Sequence, residues 1–493
     1  MNKHIAPALR IGNLILEFVQ EKLSLVFKPS FNPMYYLGAL GYFFFWITLA
    51  TGFYVFLFYN MSLTGSWESM QRLMVEQRHF GGIIRSVHRY ASDGLILVIA
   101  LHVLQHIFSD RFRQYRWVAW MTGMVLLPLL WVDGISGYAL VFDDKGLMAS
   151  TQLAGYIDAF PLMIEPFSRN FIPGGSISSL YFFVITYLHV SIPIGMLLIL
   201  WVHSVRLSRP VINPPLQVAI ALGVILVVVS ILKPAVLGPQ ADLSKLASSP
   251  DIDWFYMFPF PLTDMLSLQP KTVWFFGGGI FLFMASLPWV VRGGAVPVPA
   301  RINLEDCTGC LLCPQACPFE AIAVKPRSDG SKYEFEVEII PERCSSCGLC
   351  LPSCPFPAIT VDKWSHEYFA RQIKSLFPNG GKGKTMLFAC ERSILDPGIF
   401  KQVQNAELML IPCMGILGER YIKTCLKHGV DGIIVVACVL ENGHFRLHQR
   451  KLDVTSMETG GVKRLKVVSA SRFDTKGTLE RIRKAQTEFA GVK

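Results

Sequence analysis

His88-Arg-Tyr-Ala-Ser-Asp-Gly-Leu-Ile-Leu-Val-Ile-Ala-Leu-His102 is an apolar run with a histidine at each end. His189 and His203 bracket a second such run, and both pairs are spaced by 14 residues. On an α-helix that spacing is close to four turns, so each pair falls on roughly one face, about 21 Å apart along the axis. Two such helices side by side would form two His–His pairs, one near each surface of a membrane. A neutral imidazole is a good axial ligand for haem iron. Buried polar side chains in a bilayer are costly and usually functional. Four unrelated interfacial histidines would have no reason to share one spacing on two spans.

The composition sets the frame around this stretch. At 493 residues the chain is too long for one core. Hydrophobic residues make up 52% of it, concentrated in long runs over residues 35–292, whereas residues 300–493 read as soluble protein. The net charge of +10 comes with no long basic stretch, which excludes nucleic acid as a partner. The arginines cluster beside the apolar runs instead. All 12 cysteines lie between Cys307 and Cys438. Thioether-linked haem is thereby excluded from the first 306 residues, and the metal-ligand spacings argue against a disulfide framework. Residues 1–34 begin as an amphipathic segment with no signal-peptide cleavage pattern.

Six runs are long enough to span a bilayer: 35–58, 86–108, 117–140, 180–204, 215–236 and 273–292. Arg111, Arg113 and Arg116 follow the second, Arg206 and Arg209 the fourth, and Arg292 and Arg301 the sixth. The positive-inside rule makes these three regions cytoplasmic and puts both termini inside. The expected fold is an all-α membrane bundle of six helices (35–292), a Pro/Gly linker (293–300), a small α+β double-cluster module (301–362) and a small α/β parallel-sheet domain (384–493). In the last, Thr385–Cys390, Glu407–Cys413, Gly432–Cys438 and Leu465–Ala470 read as strands, and Gly418–His428 and Thr475–Phe489 as helices.

Gly38 and Gly52 in the first run, and Gly123 and Gly137 in the third, repeat the spacing of 14. They are expected to let a flat macrocycle approach the helix backbone. With Ile84-Arg85-Ser-Val-His88, Gly137-Tyr138, Gly174-Gly175 and Pro193 four residues after His189, residues 31–292 resemble the cytochrome b subunit of quinol-oxidising complexes. The resemblance implies two haems b. His88 with His189 would hold the outer one, His102 with His203 the inner one, and Arg85 and Arg116 would contact propionates, which favour a bidentate cation. Asp253-Trp254-Phe255-Tyr256 is similar to that family's Pro-Glu-Trp-Tyr signature at an outer quinol pocket, with Asp253 and Tyr256 as the candidate catalytic residues. Asp is shorter than the family's Glu, and Ile252 stands where the family has proline. The family's last two helices have no counterpart beyond the sixth run. Tyr36 occupies the position of the thioether cysteine of chloroplast-type relatives. His106, one turn past His102, is a rival ligand.

Cys307, Cys310, Cys313 and Cys317 precede Pro318, and Cys344, Cys347, Cys350 and Cys354 precede Pro355. These two runs form the double bacterial-ferredoxin pattern, in which the fourth cysteine of each run serves the other cluster. One [4Fe–4S] cluster is expected on Cys307, Cys310, Cys313 and Cys354. The other is expected on Cys344, Cys347, Cys350 and Cys317. Such clusters need a reducing compartment.

Cys390, Cys413 and Cys438 each end an expected parallel strand, where open α/β sheets bind ligands. Phe388-Ala-Cys390, Pro412-Cys413-Met-Gly415 and Asp431–Cys438 with Gly443-His444-Phe445 make this domain similar to the delta subunit of methyl-viologen-reducing hydrogenase, a [2Fe–2S] family. Ser393 and Gly443 stand where that family has cysteines. A [2Fe–2S] cluster with an unusual fourth ligand such as His444, or a domain that only docks, both remain open.

Together these features describe a wire. A cytoplasmic hydrogenase, formate dehydrogenase or NAD(P)H flavoprotein would feed the clusters, and the haems would pass electrons to quinone in a bacterial or archaeal cytoplasmic membrane. The chain itself has no dinucleotide or molybdenum signature, so the catalytic subunit is a separate protein. Two alternatives stay open: quinol oxidation at the outer site reducing a cytoplasmic carrier, and a haem-stabilised anchor for a soluble redox enzyme. Dimeric assembly is likewise open.

Overall fold

The computed structural model describes residues 6–27, 31–113, 116–160, 166–171, 177–205, 211–244, 255–260, 269–291, 298–391, 397–438, 464–470 and 474–490. Arg206, Arg209, Gly174, Gly175, Asp253, Arg292, Ser393, Gly443, His444 and most of the 293–300 linker lie outside them. The chain divides into two compact units.

One unit comprises residues 36–107 and 111–291 and is built from α-helices. Among the described residues five are long and apolar enough to cross a membrane: α2 (Leu37–Phe58), α4 (Gly81–Phe108), α5 (Trp117–Val141), α7 (Ser179–Val205) and α9 (Pro270–Val290). Between them lie α3 (Gly65–Val75), α6 (Asp144–Asp158) and α8 (Leu216–Leu232). Helix α8 answers to the fifth expected span but has 17 residues, because Pro234 follows Lys233 and cannot continue the helix. The fourth span runs on through Pro193, whose missing N–H leaves the His189 carbonyl without its helical partner. Asp143 caps α6, its Oδ1 accepting from Gly146 N–H at 2.9 Å and its Oδ2 from Gly238 N–H at 2.9 Å. That buried carboxylate fastens the end of α5 to the segment after α8.

The other unit comprises residues 1–35, 108–110 and 292–493. Helix α1 (Arg10–Phe27) buries Asn13, Glu17, Gln20 and Ser24 and turns Ile11, Ile15, Leu25 and Val26 outward. A helix that hides its polar stripe and exposes its apolar one suits an apolar surrounding. The cysteine-rich module has two antiparallel pairs, β1 (Ala300–Ile302) with β4 (Ile359–Val361) and β2 (Ile322–Pro326) with β3 (Phe335–Ile339). Two short helices, α10 (Leu312–Ala316) and α11 (Cys350–Ser353), close its cysteine loops. Helix α12 (His366–Leu376) then leads to a parallel sheet of order β6-β5-β7-β8. Strands β5 (Thr385–Cys390), β7 (Gly432–Cys438) and β8 (Leu465–Ala470) fall where the apolar runs put them. Strand β6 stops at Ile411, two residues early, since Pro412 has no N–H for the ladder. Helices α13 (Glu419–Lys427) and α14 (Thr475–Ala490) cover the sheet.

Candidate metal centres

In the membrane-type unit the histidines stand on α4 and α7 and the glycines on α2 and α5. The His88 and His189 ring centroids are 6.4 Å apart, with the rings 74° from coplanar. A metal–imidazole bond is about 2 Å, so two rings sharing one metal ion through facing nitrogens have centroids a little over 6 Å apart. His102 and His203 form the second pair, with His203 within charge range of His102.

Each glycine lies against one histidine. A β-carbon added at Gly52 would sit 2.8 Å from His88 Cε1, and at Gly137 3.2 Å from His189 Cε1. The corresponding distances are 3.2 Å for Gly38 with His102 and 3.4 Å for Gly123 with His203. Among protein atoms, the nearest neighbour of each of these glycines is the imidazole edge.

Nδ1 is anchored in His88, His189 and His203. His88 Nδ1 is 2.9 Å from the Thr48 carbonyl and 3.3 Å from Thr51 Oγ1. His189 Nδ1 is 3.0 Å from the Asp133 carbonyl and 2.9 Å from Ser136 Oγ. His203 Nδ1 is 3.0 Å from Thr122 Oγ1. A ring that donates from Nδ1 keeps the Nε2 lone pair for a metal. Sequence reading missed these partners, although a signal exists: Thr51, Thr122 and Ser136 each immediately precede one of the glycines. His106 lies against His102, ring centroids 4.2 Å apart and tilted by 43°, with its Nδ1 3.0 Å from the His102 carbonyl. That bond satisfies it locally.

Arg85 donates through Nη1 to the Ala235 carbonyl and lies near Asp143. Arg116 is the N-cap of α5, within charge range of His106. Tyr256 is buried, its hydroxyl 2.8 Å from Ser92 Oγ, and its carbonyl accepts from Trp131 Nε1 at 3.0 Å. Gly134 makes room for the Tyr256 ring, since a β-carbon there would come within 2.1 Å of it. Asp253 lies outside the described residues.

The eight module cysteines line two cavities. One is lined by Cys307, Cys310, Cys313 and Cys354. The other is lined by Cys317, Cys344, Cys347 and Cys350. The fourth cysteine of each run therefore crosses to the other cavity. Among the described residues no three ligand-type side chains converge on a single point. Four thiolates around one cavity match the ligand number of a [4Fe–4S] cubane, each of whose irons takes one. Gly309 and Gly348 have φ of +67° and +77°. The first is pressed against the Phe335 carbonyl, 2.3 Å from where a β-carbon would be, so the loop closes only with glycine. Burial, then the neighbouring thiols, pushes Cys313 up to about 12, and burial pushes Cys347 up to about 11. Such thiols ionise when a metal takes the proton's place.

In the parallel-sheet domain Cys390 is buried, its Sγ 3.7 Å from the Pro412 carbonyl. Cys413 packs with Leu349 and Cys347, at the wall of the second cavity. Cys425 is buried on α13. Strand β7 ends on Cys438, whose side chain is outside the description, as is His444. The loop after β6 and the second cysteine run are knit together: Ile416 fills the space over Gly348, and Arg420 Nη2 donates to the Pro355 carbonyl at 2.7 Å.

Comparison with known proteins agrees with both centres. Residues 22–238 match the family model "Cytochrome b/b6/petB", and residues 304–358 match "4Fe-4S dicluster domain". Among solved structures, "Hyperthermophilic respiratory Complex III" aligns with 15% identity and a TM-score of 0.39, over 58% of this chain and 78% of that chain. The chain thus joins a cytochrome b/b6 domain, which implies haem b, to a 4Fe–4S dicluster domain in one multi-pass membrane protein of electron transport.

Proposed function

We propose that the chain carries electrons between a cytoplasmic low-potential donor and the quinone pool, in the direction of quinone reduction. In this reading His88 with His189, and His102 with His203, hold two haems b. Cys307, Cys310, Cys313 and Cys354 hold one [4Fe–4S] cluster, and Cys344, Cys347, Cys350 and Cys317 the second. When bound, these groups supply one-electron transfer; ferredoxin-type clusters usually lie at low potential, so flow from cluster to haem is downhill.

The protein's own residues do the rest. Thr48, Thr51, Asp133, Ser136 and Thr122 fix the imidazoles through Nδ1 and aim Nε2. Gly38, Gly52, Gly123 and Gly137 let the rings sit against the neighbouring helices. Arg85 and Arg116 are the cations assigned to propionates. The unit boundaries at residues 35 and 291 support separating a bundle of six spans (35–292) from the domains at 301–362 and 384–493. The arginine distribution supports a cytoplasmic face for the cysteine-rich parts and both termini. A hydrogenase, formate dehydrogenase or NAD(P)H flavoprotein would dock there. The parallel-sheet domain, read as hydrogenase delta-subunit-like, is the natural contact, because Cys413 abuts Cys347. Cys390, Cys413 and Cys438 would hold a [2Fe–2S] cluster only with a further ligand.

The observation that carries this reading is the union in one polypeptide of facing histidines 6.4 Å apart with two four-cysteine cavities. Potentiometric titration of the purified chain tests it. Haems and clusters that come to equilibrium when a low-potential donor is added support the wire. Clusters that stay oxidised while donor is present reduce the chain to an anchor. The reverse reading, quinol oxidation at the outer site, has the buried Tyr256–Ser92 pair in its favour and predicts haem reduction by quinol alone.

A further inference from the structure

Asp133 is a carboxylic acid in the middle of a membrane-spanning helix, α5. Such residues are rare and costly in lipid, and they call for a named partner. The partner here is His189. Asp133 Oδ1 lies 3.2 Å from His189 Nδ1, is buried, and has no hydrogen-bond partner among the described residues. The Nδ1 hydrogen is already drawn to the Asp133 main-chain carbonyl at 3.0 Å and Ser136 Oγ at 2.9 Å. Ser136 in turn donates to that same carbonyl at 2.7 Å. The side-chain oxygen therefore acts on the ring as a nearby negative charge, beside a main-chain carbonyl and a hydroxyl that hold the same nitrogen.

The other anchored histidines differ. His88 Nδ1 meets the Thr48 carbonyl and the Thr51 hydroxyl, with Arg85 and Arg89 in charge range. His203 meets the Thr122 hydroxyl. The Nδ1 contacts thus give His189 a carboxylate and leave His88 and His203 with neutral partners. A carboxylate beside the Nδ1–H of a ligating histidine makes the imidazole a stronger donor to its metal. It also places negative charge where an added electron would reside.

We propose that Asp133 is a positioning residue that tunes the metal group held by His88 and His189, lowering its potential and so disfavouring residence of an electron at that end of the bundle. The proposal rests on the haem reading above. Because the main-chain carbonyl and Ser136 still hold the ring, the carboxylate can be neutralised without releasing it.

The test uses the full chain, purified with its haem and titrated potentiometrically on the b-type absorption band. In Asp133→Asn, with haem content unchanged, one of the two haem waves shifts upward by about tenfold in its one-electron equilibrium, or about 59 mV, while the other stays in place. Asp133→Glu, which keeps the charge, returns most of that shift. Ser136→Ala, a neutral change on the same nitrogen, moves the wave less than Asp133→Asn does. The proposal is overturned if both waves stay put in Asp133→Asn with both haems bound, or if Asp133→Glu moves the wave as far as Asp133→Asn. Loss of the haem in Asp133→Asn also overturns it, since the carboxylate would then be holding the ring. A wild-type chain with no b-type band sinks the haem reading itself and is distinguishable from all of these.

Discussion

The two kinds of centre are built on opposite plans. In the membrane-type unit, ligand-type side chains come singly from α4 and α7, 101 residues apart in sequence, and rigid helices bring them face to face. In the cysteine-rich module, they come in tight runs from loops closed by short helices and left-handed glycines. A helix fixes position through packing, so each histidine needs a matching gap on its neighbour. A loop fixes position through its own turns, so the cysteines need only local spacing and one exchange between runs.

The exchange is where the loop plan breaks most visibly. Cys317 belongs by sequence to the first run yet lines the cavity of the second. Cys317→Ser is expected to remove one of two cluster signals in low-temperature paramagnetic spectra and to spare the cluster on Cys307, Cys310, Cys313 and Cys354. Loss of that other cluster instead would mean that the runs do not cross.

The helix plan makes a graded prediction. An added methyl at Gly52 comes within 2.8 Å of His88, whereas at Gly123 it stays 3.4 Å from His203. Overpacking a well-packed site costs about 1–3 kcal/mol. Gly52→Ala is therefore expected to lower haem retention and thermal stability clearly, and Gly123→Ala to do so weakly or not at all. Equal effects in the two variants would show that the glycines serve helix packing in general and not the rings.

These contrasts also explain what could be read from the sequence. The spacing of 14 that joins His88 to His102, His189 to His203, and the glycines in their pairs is a global pattern, and spacing survives without a structure. The cysteine runs are equally legible, because few other sites use that spacing. The Nδ1 anchors were marked only by their place before a glycine. Thr51, Thr122 and Ser136 are hydroxyl residues on helices, where they routinely bond the carbonyl four residues back, as Thr51 does to Ile47 and Thr122 to Val118. Their second role depends on which neighbour the helix faces. The end of β6 was misplaced because apolar character continues past Ile411 while Pro412 ends the pairing. In the same way the apolar run after Leu232 outlasts α8, which stops before Pro234.

The smallest effect is expected at Cys425, a cysteine outside both plans. Burial pushes its thiol up from 9.0 to about 12. A thiol raised in the folded state is held neutral there, so its contribution to stability is whole below pH 9.0 and is lost as pH rises toward about 12. At neutral pH, alkylating reagents should leave Cys425 unmodified until the chain unfolds. Rapid labelling of the folded protein would place it at a surface.

The most direct measurement on the whole account is the reduced-minus-oxidised optical spectrum of the purified full chain, made where haem is plentiful, beside that of a variant carrying His88→Leu and His203→Leu. The account predicts a b-type absorption band in the first and its loss in the second, because the two replacements together take one imidazole from each facing pair. A wild-type chain without the band, or a double variant that keeps it, would contradict the account.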